Sequence, residues 1–253
     1  MRLRVAPLVL ACLAAGSVAP ASAQLRASRP PTQPKNLPRL LVANPHTFSA
    51  ADSAAAVRIG TGMREKMESV ADKWYNVVQR AQMNDALTQY GYPPDAVLPP
   101  LVARQLGSQL QARAIVVSTV TRGEGGRLTV EARVLSGNDQ TGHLITMTQG
   151  PEQSPEDLGQ KTAEALKGAF GALQEAKKCE ELASTDPAKA EEAAKKAIRL
   201  QPNHGPAELC LAQIALAQKK PADEIITHFK NATIGDRLSV EALGGLLGQY
   251  QAK

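Results

Sequence analysis

The chain has 253 residues, with 29 Lys and Arg against 24 Asp and Glu, a formal net charge of +5, and only three Phe, four Tyr and one Trp. So mild a basic excess, with so few rings to stack on bases, excludes nucleic acid as the expected partner. The four His and three Cys show no ligand spacing, so neither a metal nor a cofactor is expected.

The first residues read as an export signal. Met1-Arg2-Leu3-Arg4 is a short basic start, residues 5–18 form an apolar run too short to span a bilayer, and Ala21-Ser22-Ala23 has the small-x-small pattern of a signal peptidase site. Residues 1–23 are therefore expected as a signal peptide cleaved before Gln24, with an uncleaved anchor as the alternative. Val9-Leu10-Ala11-Cys12 resembles a lipobox, but Cys12 sits inside the apolar run, where lipidation would leave almost no signal before it. Residues 24–36 are rich in Pro and polar side chains without an apolar period, the composition of an extended tether.

Regular structure is expected from Arg39-Leu40-Leu41-Val42-Ala43, a buried strand stopped by Asn44-Pro45. Ser49 reads as an N-cap with Asp52 completing an imperfect capping box, and the helix that follows carries Ala55, Ile59, Met63, Met67 and Val70 on one stripe. Arg64, Glu65, Lys66 and Glu68 read as its exposed face. A second strand is expected over residues 74–79, a short helix over 83–90 and a third helix from Pro100 to about residue 110. Residues 114–120 and the alternating Leu128, Val130, Ala132 and Val134 predict a hairpin around Gly123-Glu124-Gly125-Gly126. Those glycines lie between two strands with no helix N-terminus and no Lys-Ser/Thr pair, which excludes a phosphate loop. A last strand is expected over 144–148, and Ser154-Pro155-Glu156-Asp157 opens a helix reaching about residue 170.

Beyond residue 158 the composition shifts to Ala, Lys and Glu. Helices are expected over 172–183, 187–200, 206–218, 222–232 and 238–250. Ala190, Ala194 and Ala197 share one helical face ahead of Pro202, and Ile225, Phe229 and Ala232 repeat that spacing, with Pro202 and Asp236 lying 34 residues apart. This pattern resembles the second helices of tetratricopeptide (TPR) units, which implies stacked helical hairpins that present a groove to another protein. Leu243, Gly244 and Leu247 fit a third first helix, which would cap the stack or pair with something else.

The preceding half resembles the amino-terminal domain of TolB and the TolB-like modules found beside TPR arrays. The likeness rests on Val77-Val78-Gln79-Arg80, on Leu106 to Leu110 before Ala114-Ile115-Val116-Val117, and on Leu128-Thr129-Val130-Glu131-Ala132-Arg133-Val134-Leu135 with Thr141-Gly142. It implies a small mixed sheet with helices on one face and an assembly role, and it brings no catalytic residues. Leu110-Gln111-Ala112 departs from the usual Leu-Gly, so the turn there lacks a glycine. The resulting organisation is a signal peptide (1–23), a tether (24–36), a TolB-like α/β domain (37–170) and TPR-like repeats (171–253).

No catalytic constellation stands out. His46, His143, His204 and His228 are scattered and read as solvated or capping residues, and Ser118 and Ser136 have no nucleophile-elbow context. Cys179 and Cys210 each fall on the inner face of an expected first helix, where they serve either as small core residues or as a disulfide between neighbours. The surface lined by the first helices offers Lys177, Glu180, Glu181, Gln213 and Gln218 as candidate partner-binding residues. The expected function is an exported, non-enzymatic scaffold of the cell envelope. A ligand-sensing or enzymatic α/β module oligomerised by its repeats is the alternative.

Overall fold

The apolar run of residues 39–42 forms strand β1 (Arg39–Val42), buried on both sides because helices cover both faces of the sheet it joins. The computed structural model describes residues 36–137 and 139–252. The expected leader, its cleavage site, Cys12 and the tether as far as residue 35 lie outside the described residues.

Six strands make one mixed sheet. The order is β3 (Asn76–Val77), β1, β4 (Ala112–Arg122), β5 (Leu128–Ser136) and β6 (His143–Thr148), with β2 (His46–Thr47) also paired to β4. β3, β1 and β4 run parallel, as strands joined through helical crossovers must, while β4, β5 and β6 are antiparallel neighbours. The hairpin register sets Val116 against Val134 and Val120 against Val130.

Strand alternation sorts the core into two layers. Leu40, Val42, Val116, Val130 and Val134 face helices α1 (Ser53–Val70), α4 (Pro155–Ala165) and the start of α5 (Lys167–Leu182), packing on Ile59, Met63, Met67, Leu158 and Phe170. Leu41, Ile115, Val117 and Leu135 face α2 (Arg80–Gln89) and α3 (Pro100–Gln109) through Met83, Leu87 and Leu106. Each fully buried Leu, Ile, Phe or Met contributes about 1.5–3 kcal/mol. The expectation of helices on one face only is thus corrected. The continuous apolar runs of β1 and β4 demanded cover on both sides, whereas alternating β5 needed it on one.

Local differences have local causes. Ser49 makes no side-chain cap. A single 3-10 turn (Ala50–Asp52) precedes α1, and Asp52 instead accepts hydrogen bonds from Arg122 Nε (2.8 Å) and Nη2 (2.5 Å) at the far end of β4. The strand expected over 74–79 shrinks to β3, a segment at one end of the strand order that pairs with β1. Arg64 does not belong to an exposed face: it is buried and donates to Val42 O (3.2 Å) and Asn44 Oδ1 (2.8 Å), and burial pulls its pKa down to about 10. Ser154 does form a capping box with Asp157. The helix it opens breaks at Leu166, so the segment leading into the C-terminal helices is a new helix, α5, that starts at Lys167. Gly159 lies where α4 crosses α1, and a Cβ there would press into the carbonyl of Ile59, so only glycine permits this approach.

The turn between α3 and β4 needs left-handed backbone and has no glycine to supply it, so Gln111 takes φ +55. Gln111→Gly is expected to raise stability by about 1 kcal/mol, measured as an upward shift of the urea midpoint at constant slope.

From α5 onward, helices α6 (Pro187–Leu200), α7 (Gly205–Ala217), α8 (Ala222–Gly235) and α9 (Val240–Ala252) follow as layered hairpins. α6 begins at an Asp186 cap, and its Ala190, Ala194 and Ala197 are fully buried against Ala172, Ala176 and Cys179 of α5. α8 covers α7 through Ile225, Phe229 and Ala232. Cys179 and Cys210 form a disulfide between α5 and α7, with Cα atoms 6.3 Å apart, which settles the two readings of these residues in favour of the bridge. α5 takes part in both cores: Phe170 and Leu173 pack towards the sheet and Cys179 towards α6 and α7.

Candidate functional site

The helical layers meet the sheet through a buried polar contact built around Asp236, the residue just after α8. Asp236 is fully buried. Its Oδ2 accepts from Arg133 Nε (2.8 Å) and Nη2 (2.5 Å) on β5 and from the backbone of Gly142 (2.7 Å), and its Oδ1 accepts from Leu238 N (3.2 Å). Beside it Thr141 and Ser239 share a hydroxyl hydrogen bond of 2.6 Å, and Ser239 Oγ accepts from Ala242 N at the start of α9 (3.1 Å). Arg237 pairs with Glu131 outside this buried set. The turn between α8 and α9 is thereby clamped to the outer strands, which fixes where α9 points.

Next to the clamp, His204 precedes α7 and stacks on His143 at the start of β6, with ring centroids 5.4 Å apart and planes 21° apart. Both rings are buried. Among the described residues neither nitrogen of His204 nor Nδ1 of His143 has a hydrogen-bond partner. Burial pushes the His143 pKa down to about 4, with the charge of Asp236 acting the other way. Burial, then the neighbouring His143, holds His204 well below the ordinary histidine value. The reading of these two as solvated or capping residues is corrected: 61 positions apart in sequence, they meet where the turn into α7 docks on the start of β6. His228 bonds Glu208 (2.8 Å), and His46 lies edge-on to Phe48.

The five candidate residues divide among three places. Lys177 and Glu181 of α5 line a cavity of about 550 Å³ together with Tyr75, Arg113, Ser136, Asp139 and Gln174. Glu180 of α5 and Gln213 of α7 line a neighbouring cavity of about 330 Å³ with Asp139, Gln140, Thr141 and Glu241. Gln218 lies apart from both, at the end of α7. The loop from β5 to β6 therefore occupies part of the surface that α5, α7 and α9 present. Glu180 keeps contact with solvent, yet desolvation in this cleft, followed by the charges of Asp139, Glu241 and Glu181 against the pull of Lys177, pushes its carboxyl up to about 7. Tyr75 accepts from Gln174 Nε2 (2.7 Å), and burial raises its hydroxyl to about 12, so it stays protonated as a donor.

A second surface lies on α9. Its inner side buries Ala242 and packs Leu246 with the ring of Phe229, which fills the space beside Gly245. Its outer side leaves Val240 72% exposed, Leu243 46%, Leu247 59% and Tyr250 49%. At 100° per residue these four fall within one narrow stripe.

The residues that sequence reasoning missed are Arg133, Asp236, His143 and His204. Only Asp236 carried a local signal, since it stands where the repeat spacing has a proline. Among the described residues there is no group of three or more His, Cys, Asp or Glu able to hold a metal, and no helix is long and apolar enough to cross a membrane.

No protein-family model and no curated protein matches the chain. Among solved structures it is similar to the lipoprotein GNA1162 from Neisseria meningitidis, at 16% identity and a TM-score of 0.35, over 51% of this chain and 94% of that one. It is also similar to a PelC dodecamer from Paraburkholderia phytofirmans, at 10% identity and a TM-score of 0.32, over 52% and 87%.

Proposed function

We propose that this chain is an exported, non-enzymatic scaffold of the cell envelope, with TPR-like layers that bind other proteins and a TolB-like sheet module that helps to assemble them. The export reading rests on the basic start, apolar run and Ala21-Ser22-Ala23 site. The observation that carries the binding role is the outer face of α9, apolar, uncharged and held in place by the Asp236 clamp. Buried apolar anchors supply most of the energy in protein contacts, so this stripe is the expected centre of the interface, with Glu180 and Gln213, which share a cleft with Glu241 of α9, on its polar side.

Leu247→Glu places a charge at the middle of the stripe without touching the core. In affinity capture from envelope extract, the wild type should retain specific proteins that this variant loses, with identical circular dichroism for both. If the folded wild type retains nothing specific, or both proteins retain the same set, the reading fails.

A further inference from the structure

The cavity of about 550 Å³ beside α5 and the start of β4 is lined by polar groups left idle by the fold. Two of them are nearly buried: Tyr75 is 4% exposed and Ser136 7%. The Tyr75 oxygen accepts from Gln174 and burial keeps its proton in place, so the hydroxyl has one donor bond still to make. Among the described residues neither that proton nor Ser136 Oγ has a partner. A buried donor without an acceptor is costly, and an acceptor held in the cavity removes the cost.

Two cations, Arg113 and Lys177, and two anions, Asp139 and Glu181, line the same cavity. Glu175 pairs with Lys178 and Glu191 with Lys195 nearby, yet among the described residues none of these four side chains is in an ion pair. Lys177 stands four positions before Glu181, the weaker order for a pair along a helix, so both charges remain open on one side of α5.

We propose that this cavity binds a dipeptide with both ends charged. The carboxylate accepts from Tyr75 and Ser136 and pairs with Lys177 and Arg113, while the ammonium pairs with Glu181 and Asp139. Spacing selects the length. Lys177 and Glu181 are separated by about 6 Å along α5, and two extended residues span at most about 7 Å. A single amino acid leaves one end unpaired and a tripeptide overshoots. A simple anion or cation satisfies one pair of charges and meets the like charges of the other. Between the charged ends Pro38, Ala112 and Leu173 supply an apolar wall suited to small side chains. The site shares no residue with the α9 stripe, so it stands or falls separately from the docking reading.

Calorimetric titration of the purified processed chain with alanyl-alanine, N-acetyl-alanyl-alanine and alanyl-alanine amide tests this. Capping either end should weaken binding at least about tenfold, as loss of one charge-assisted contact requires. Lys177→Met should weaken the free dipeptide to a similar degree and make amidation harmless, and Glu181→Gln should do the same for N-acetylation. Both side chains are exposed, so circular dichroism and thermal unfolding should match the wild type. Tyr75→Phe, which keeps the ring against Phe170, should also weaken the free dipeptide about tenfold. No heat from any of the three peptides up to about 10 mM overturns the proposal, as does equal binding of free and capped forms. Inorganic phosphate that binds as tightly as the dipeptide and competes with it also overturns it, because the site is then one for anions alone.

Discussion

Replacing Asp236 with Asn is expected to lower the unfolding free energy by about 3–5 kcal/mol, because it leaves the Arg133 guanidinium nearly buried without its counter-charge. Against a total of about 5–15 kcal/mol for a protein of this kind, that is a large fraction of the stability. The carboxylate accepts three hydrogen bonds at one oxygen and one at the other, so an amide cannot reproduce the set. Exchanging both partners for apolar residues, Arg133→Met with Asp236→Leu, should recover part of the loss, since the desolvation of both charges is removed together. Glu131→Gln, at the more exposed pair with Arg237, should cost under about 1 kcal/mol. Urea unfolding of the four proteins decides. Equal, small effects at the two pairs would mean that docking of the layers does not depend on the buried pair.

The second large effect is loss of stability in acid through the stacked histidines. The His143 pKa is about 4 in the folded protein against an ordinary value of 6.5, so between those values the unfolded chain binds the proton and the folded chain does not. Its contribution is therefore fully present above pH 6.5 and is lost as the pH falls towards 4, by about 3 kcal/mol. His204, which burial also holds well below the ordinary histidine value, adds in the same direction. The charged groups around the pair are Asp236, which opposes the His143 shift, and Arg133, neutralised by Asp236. Glu180 acts with the opposite sign: its raised pKa makes the folded state gain stability as the pH falls through about 7. Comparing the wild type with His143→Phe cancels that shared contribution. The difference in unfolding free energy between the two proteins should change by about 3 kcal/mol from pH 7 to pH 4. Parallel pH profiles would show that the ring titrates as it does in the unfolded chain.

What the sequence made legible was whatever is encoded over one or two turns of chain. The alternation of Leu128, Val130, Ala132 and Val134 located β5, Ser154 with Asp157 marked the start of α4, and the spacing of Ala190, Ala194 and Ala197 identified the face of α6 that lies on α5. The charged sequence neighbours of Arg64 suggest an exposed position, whereas its guanidinium turns inward to the carbonyl of Val42 at the end of β1 and to the amide oxygen of Asn44 just past it. The pairs that join the two halves are separated too far for any periodicity to register: Arg133 and Asp236 stand 103 positions apart. The candidate residues of the cleft are outward-facing positions of single helices. No pattern along the chain foretold that the β5–β6 loop would fold over two sets of them.

The outer face of α9 is expected to meet another protein in the envelope. Photo-cross-linking residues placed at Leu243 and at Leu247, with Lys161 on the exposed side of α4 as a control, probe it in intact cells. Discrete adducts with another envelope protein are expected from both α9 positions, and none from the control. Cross-linking at α9 no greater than at Lys161 would contradict it.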